Sequence, residues 1–177
     1  MADITTNQQP ATADAIATFE RTCGQALPPD YRDFLQRYNG GRPTPNAFEI
    51  GGGLGDGGVR SFYGLHDGDY SLAAAFTSTR GRMPQHLLPI AEDDCGNRIC
   101  LSLAEHDCGA VFFWDHETEA DESEPADDRN LYRVASSFTA FLAALRAAPP
   151  VELQPGQVLS TWIDPEFLRQ LKEKGEA

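Results

Sequence analysis

Four cysteines and four histidines are the side chains from which nucleophilic or metal chemistry would have to be built. Cys95, Cys100, His106 and Cys108 form the densest group, but no C-x-x-C pair of the kind that closes a zinc site occurs among them. Cys100 lies inside an apolar run, where a free thiol behaves as a small hydrophobe. A chain of 177 residues is also large enough to fold without disulfide staples. No metal site and no cofactor are expected. His66, His86, His106 and His116 all fall in or beside polar turns, and no Gly-x-Ser-x-Gly elbow presents a serine to any of them. A solvated histidine is the simpler reading of each, so the chain is expected not to be an enzyme. The glycine-rich stretch Gly51–Gly58 lacks the Gly-Lys-Ser/Thr ending of a phosphate loop and is read as a flexible, hairpin-like connection.

Carboxylates are the abundant chemical group. The chain carries 27 acidic and 14 basic residues, a net charge of −13. Eight of the acids (Asp115, Glu117, Glu119, Asp121, Glu122, Glu124, Asp127 and Asp128) fall in one stretch without a Lys or Arg. Alternating acids suggest a calcium loop, but Ala120 stands where such a loop needs its glycine, and a proline follows. A crowded run of like charges is also a poor place to split two carboxyl pKa values for acid–base work. The stretch is therefore read either as a solvated loop or as an anion-mimicking surface that steers a basic protein into contact. Nucleic acid and anionic membranes are not expected partners, because phosphate binding relies on Lys and Arg releasing counterions. No apolar run approaches the ~20 residues of a membrane-spanning helix. Met1–Pro10 is polar without a signal pattern, so a cytoplasmic location is expected.

The elements that would position these groups follow from periodicity. Ile16, Phe19 and Cys23 predict a helix over Asp14–Cys23, stopped at Gly24. Prolines 28 and 29 suit a first helical turn, and Tyr31, Phe34, Leu35 and Tyr38 then lie on one face until Asn39-Gly40-Gly41. Strands are predicted at Ala47–Ile50 and Val59–Leu65, with a helix over Tyr70–Thr79 burying Tyr70, Ala73, Ala74 and Phe76. Leu87–Ala91, Ile99–Leu103 and Ala110–Trp114 read as consecutive antiparallel strands of one meander, with turn chemistry at Asp93–Asn97. Leu131–Val134 would add a last strand. Ser136 or Ser137 can cap a helix running to Arg146, stopped at Pro149-Pro150. Asp164-Pro165 opens a short helix in the remaining segment.

The ordered landmarks Leu27-Pro28-x-Asp30-Tyr31-x-x-Phe34-Leu35, Asn39-Gly40-Gly41, Leu88-Pro89-Ile90-Ala91, Gly96-Asn97-x-Ile99-Cys100-Leu101, Gly109-x-Val111-x-Phe113-Trp114-Asp115-His116-Glu117 and Ala135-x-Ser137-Phe138-x-x-Phe141-Leu142 resemble the SUKH superfamily. The resemblance runs from about Phe19 to Leu145. It implies an α+β fold, with a mixed, mainly antiparallel sheet flanked by helices in a single SUKH-like domain, and no catalytic apparatus. It further implies toxin immunity by direct binding, often against a nuclease, as in the superfamily's bacterial members. The alternative it carries is a regulatory or scaffold module like the fungal cell-wall-assembly regulators. An enzyme with an unrecognised site is the third reading.

Arg outnumbers Lys 12 to 2 and Ala is frequent, which suits a G+C-rich bacterial genome. The expected organisation is a flexible leader over 1–12, the domain over 13–150, and a C-terminal extension over 151–177. The expected partner is a basic cognate toxin, met by Asp94, Trp114, Asp115, Glu117, Glu119, Asp121, Glu122, Glu124, Asp127 and Asp128. Positions 94, 96, 97, 114 and 115 also have a structural reading: glycine and asparagine for a turn, tryptophan for a core.

Overall fold

A computed structural model describes residues 2–121 and 125–148, and every structural statement below concerns those residues. The extension over 151–177, its short helix, the Pro149-Pro150 stop, and the side chains of Glu122 and Glu124 lie outside them.

The chain opens with strand β1 (Asp3–Thr5), which pairs antiparallel with β2 (Arg42–Thr44). This corrects the expected mobile leader over 1–12. Ala2 and Ala11 are buried, and the Ala11 N–H donates to the Leu35 carbonyl at 3.0 Å. A three-residue strand is too short to leave a period in the sequence. Its close approach depends on Gly41, where a Cβ would come within 2.7 Å of the Thr5 carbonyl oxygen.

Helix α1 (Ala13–Cys23) starts one residue earlier than its apolar pattern suggests, because the Thr12 hydroxyl accepts the Ala15 N–H. Helix α2 (Pro29–Arg37) buries Tyr31, Phe34 and Leu35. It gives way to left-handed backbone at Asn39, Gly40 and Gly41. Asn39 is itself buried and ties two loops together, accepting from the Leu65 N–H at 2.7 Å and donating to the Gln9 carbonyl at 2.9 Å.

The glycine-rich stretch joins β3 (Ala47–Glu49) to β4 (Asp56–Gly58) as a hairpin, with β4 lying inside the glycine run. Gly57 passes so close to Phe48 that a Cβ there would meet its ring at 2.8 Å. Of the expected strand at 59–65, only β5 (Ser61–Phe62) forms a ladder. Helix α3 (Leu72–Ser78) is shorter than expected, because Tyr70 takes φ 60° ahead of it and the Ser71 hydroxyl caps it. Its buried face is Leu72 and Ala75, whereas Ala73 and Ala74 are exposed.

Strands β6 (Leu87–Glu92), β7 (Arg98–Ser102), β8 (Val111–Trp114) and β9 (Leu131–Ala135) continue from β5 as one sheet, in the order β5-β6-β7-β8-β9. Each pairing in it is antiparallel, so the meander and the α+β class are as expected. Helix α4 (Phe138–Ala144) is capped by Ser137 and stops before Arg146, whose backbone turns back to bridge Ala47.

Strand alternation gives the sheet two different faces. One carries Leu88, Ile90, Ile99, Leu101, Val111 and Phe113 into the main core. There Phe138 meets Tyr31 and Phe34 edge-on at 5.0 and 5.1 Å between ring centres. The other carries a small second cluster of Met83, Leu87, Cys100 and Trp114, with Phe112 and Leu131 half-buried beside it.

Candidate partner-binding surface

The surface is built around the β6–β7 turn. Asp93 is buried, and its carboxylate accepts three donors: the N–H groups of Cys95 and Asn97 at 2.9 and 2.8 Å, and the Asn97 side-chain amide at 2.7 Å. This fixes the turn and leaves the Asn97 Oδ1 facing away from Asp93. That oxygen accepts the His116 N–H at 3.1 Å and lies 2.8 Å from His116 Nδ1. Two acceptors cannot share one contact, so Nδ1 carries a proton. The turn and the start of the acidic stretch are thereby joined across a gap of 19 residues.

The acidic stretch is closed at both ends. Asp115 accepts the Glu117 N–H and caps the short 3-10 turn His116–Thr118. Its backbone pairs with buried Asn130: Asp115 N–H donates to the Asn130 carbonyl at 3.0 Å, and the Asn130 amide donates to the Asp115 carbonyl at 2.7 Å. Glu119 receives a two-pronged contact from Arg82, Nε at 3.0 Å and Nη2 at 2.7 Å. The same guanidinium lies over the Trp114 ring, 5.3 Å from its centre. At the far end Arg129 grips Asp127, and its side-chain and backbone donors hold that carboxyl below the usual carboxylate range.

The predicted residues therefore divide. Asp94, Glu117, Asp121 and Asp128 are exposed. Among the described residues, Glu117, Asp121 and Asp128 take no ion pair, and Asp94 has only a 3.7 Å approach from Arg60. Asp115, Glu119 and Asp127 are engaged within the fold. Trp114, expected on the contact surface, is 1% exposed and lies beneath Arg82. An aromatic at the end of a strand can point either way, and pairing with Arg98 and Leu131 turns this one onto the second face of the sheet.

Sequence reasoning placed the turn at Asp93–Asn97 and gave Asn97 a turn role, but missed His116 and Asn130 as the rest of the frame, and Arg82 as its clip. The Asp93–Asn97 turn signal was the available clue; nothing in the chain announces a contact between residues 37 apart.

Beside the acids, a neighbouring Arg60–Glu92–Arg98 group accompanies a hydrogen bond from the Tyr63 hydroxyl to Glu92 at 2.8 Å. Burial pushes that phenol up. Cys100 lies in the second cluster, and burial pushes its thiol up as well. The Ser102 hydroxyl donates to Asp107, while His106 reaches Asp107 and not the serine, so this trio lacks the nucleophile–base contact of a hydrolase. Among the described residues no three His, Cys, Asp or Glu side chains converge to hold a metal ion. No described helix is long and apolar enough to cross a membrane.

Two comparisons bear on this arrangement. The sequence profile of the SMI1 / KNR4 family (SUKH-1) matches residues 10–144, which span α1 to α4. The SPbeta prophage-derived uncharacterized protein YokK of Bacillus subtilis (strain 168) is 31% identical over 155 residues, covering 78% of this chain and 76% of the relative.

Proposed function

Because the chain belongs to the SMI1 / KNR4 family (SUKH-1), we propose that it is an immunity protein, one that neutralises a cognate bacterial toxin by direct contact and performs no catalysis of its own. The observation that carries this reading is the acidic surface. Exposed carboxylates at Asp94, Glu117 and Asp128 stand beside backbone fixed by Asp93, Asn97 and Asn130, and Asp121 adds a fourth exposed acid. A preset surface loses little entropy when it docks, and its charge favours a basic partner while speeding encounter. A nuclease fits, since its own substrate is a polyanion, and acids arranged on a loop offer a similar field. The prophage origin of YokK supports a role tied to mobile elements. The site of action is the cytoplasm, where such a toxin would strike.

Co-expression tests the proposal. The protein, produced with the toxin encoded beside it, rescues growth and co-purifies with that toxin. Absence of both rescue and binding sinks the reading.

A second reading, a regulatory or scaffold module, is favoured by one feature. A groove of about 530 Å³ between β1, α2 and α4 is lined by Ala2, Ile4, Phe34, Tyr38 and Leu142 together with the polar Asp30, Asp33, Gln36, Arg37 and Thr139, a mixed recess that a partner's side chain could enter. Neutralising the four exposed acids slows capture of a basic toxin at low salt but leaves docking in that groove unchanged.

A further inference from the structure

The contact between Arg82, Trp114 and Glu119 has the parts of a guanidinium receptor. An aromatic face and a carboxylate meet at one point, and a guanidinium lies against both: Cζ is 5.3 Å from the ring centre, and two nitrogens face the two carboxylate oxygens at 3.0 and 2.7 Å. A planar fork that stacks and bonds at two points is specific to arginine, and an ammonium cannot reproduce it.

The receptor half is positioned largely without Arg82, which adds the last clip at Glu119. Trp114 is fixed by strand pairing to Arg98 and Leu131 and by packing in the Met83, Leu87 and Cys100 cluster. Glu119 closes the 3-10 turn that Asp115 caps. The ligand half is different. Arg82 sits on a turn with left-handed Gly81 before it, and its side chain is 46% exposed, so it can swing away without disturbing buried Met83. The indole Nε1 is buried and takes no partner among the described residues, leaving the ring face as the part that binds.

We propose that Trp114 and Glu119 form an arginine-binding niche that Arg82 occupies in cis, and that a partner protein's arginine displaces it on docking. The partner's identity rests on the reading above; the niche itself does not. Tethering gives Arg82 an effective concentration in the millimolar range or higher, so free guanidinium competes poorly with it. An arginine delivered by a larger interface is tethered too, and can exchange. Exchange frees the Arg82 guanidinium and moves the basic charge at this spot from the chain to its partner.

Chemical rescue tests the niche in the isolated full-length protein. Trp162→Phe leaves Trp114 as the single tryptophan. In that background Arg82→Ala empties the niche, and Arg82→Gln does so while keeping a long side chain. Ethylguanidinium chloride is titrated to about 100 mM, with sodium chloride holding ionic strength constant and ethylammonium chloride as the control.

Both variants are expected to exchange the amides of residues 116–121 roughly tenfold faster than the parent. Ethylguanidinium restores protection and shifts Trp114 fluorescence saturably, with half-saturation on the order of tens of millimolar. Ethylammonium does far less, the parent protein does not respond, and adding Glu119→Gln removes the response. The proposal is overturned if neither variant responds saturably, if ethylammonium works equally well, or if the response survives Glu119→Gln. No toxin enters the experiment, so failure here and failure of co-expression are separate results.

Discussion

The two faces of the five-stranded sheet are held in different ways. The inner face is closed by rings: Phe138 touches Tyr31, Phe34 and Phe62, while Phe141 touches Phe48 and Phe62. The outer face carries only a small apolar cluster of four buried side chains, and charged groups hold the segments beside it. Arg82 clips Glu119 over Trp114, Asp93 fixes the turn that holds His116, and Arg129 holds Asp127. Apolar burial is strong and indifferent to salt, whereas half-exposed ion pairs are weak and exchangeable. The inner face therefore carries stability, and the outer rim can trade its partners for those of another protein.

That contrast predicts a graded series of effects. Phe138→Ala should be the most damaging, costing about 3–5 kcal/mol, since a fully buried ring with three aromatic neighbours leaves a cavity that helix packing cannot close. Urea unfolding checks it, and a loss below about 1 kcal/mol would mean that the inner face is not the stabilising one. Asp93→Ala should come next, at about 2 kcal/mol, because three donors lose an anionic acceptor. Hydrogen exchange should locate that damage: the amides of Cys95, Asn97 and His116 open first, while those of β7 and β8 keep their protection.

The combined change Asp94→Asn, Glu117→Gln, Asp121→Asn and Asp128→Asn should move stability by only about 0.5 kcal/mol, as exposed substitutions do. Its effect belongs to association. With a basic toxin captured in the co-expression test, the on-rate should fall roughly 10- to 100-fold at low salt and converge on the parent's near 1 M. Stopped-flow binding at two salt concentrations measures it. An unchanged rate would place the docking surface elsewhere, with the groove between β1, α2 and α4 as the next region to probe.

The same contrast explains what the sequence made legible. The inner face is written in periodicity: Tyr31, Phe34 and Leu35 on one helix, and Ile99, Leu101, Val111 and Phe113 on alternating strand positions, all land where their spacing places them. The Ser136-Ser137 pair announced a cap, which Ser137 supplies, and Asn39-Gly40-Gly41 announced a stop. β1 escaped because three residues have no period and take their hydrogen bonds from a strand some 40 positions away. The burial of α3 was misplaced because Tyr70, in left-handed backbone, is not part of the helix and the apolar face shifts to Leu72 and Ala75. On the rim, composition located the acids but not their bonds. Whether a carboxylate is free, like Glu117, or held, like Glu119, depends on a cation brought near by folding, and sequence distance carries no such information.

The smallest effect tests whether the rim is fixed at its far end. Asp127 is about half-exposed, yet its carboxyl is held below the ordinary value, first by the Arg129 side chain and then by the Arg129 backbone N–H. A folded-state pKa below the unfolded value of about 3.9 gives a contribution that is complete above that value and lost as pH falls through the folded one. Solvent and salt screen so exposed a pair, so the signature belongs in the titration and not in the unfolding midpoint. A carboxyl-carbon NMR titration should find Asp127 ionising below the ordinary range. Arg129→Gln removes the larger cause but keeps the backbone donor, so the midpoint should return only part of the way. A full return would assign the whole effect to the side chain. An ordinary midpoint in the parent would mean that the exit of the acidic segment is not held by Arg129, and the rim would then be fixed at Asp93, Asn130 and Arg82 alone.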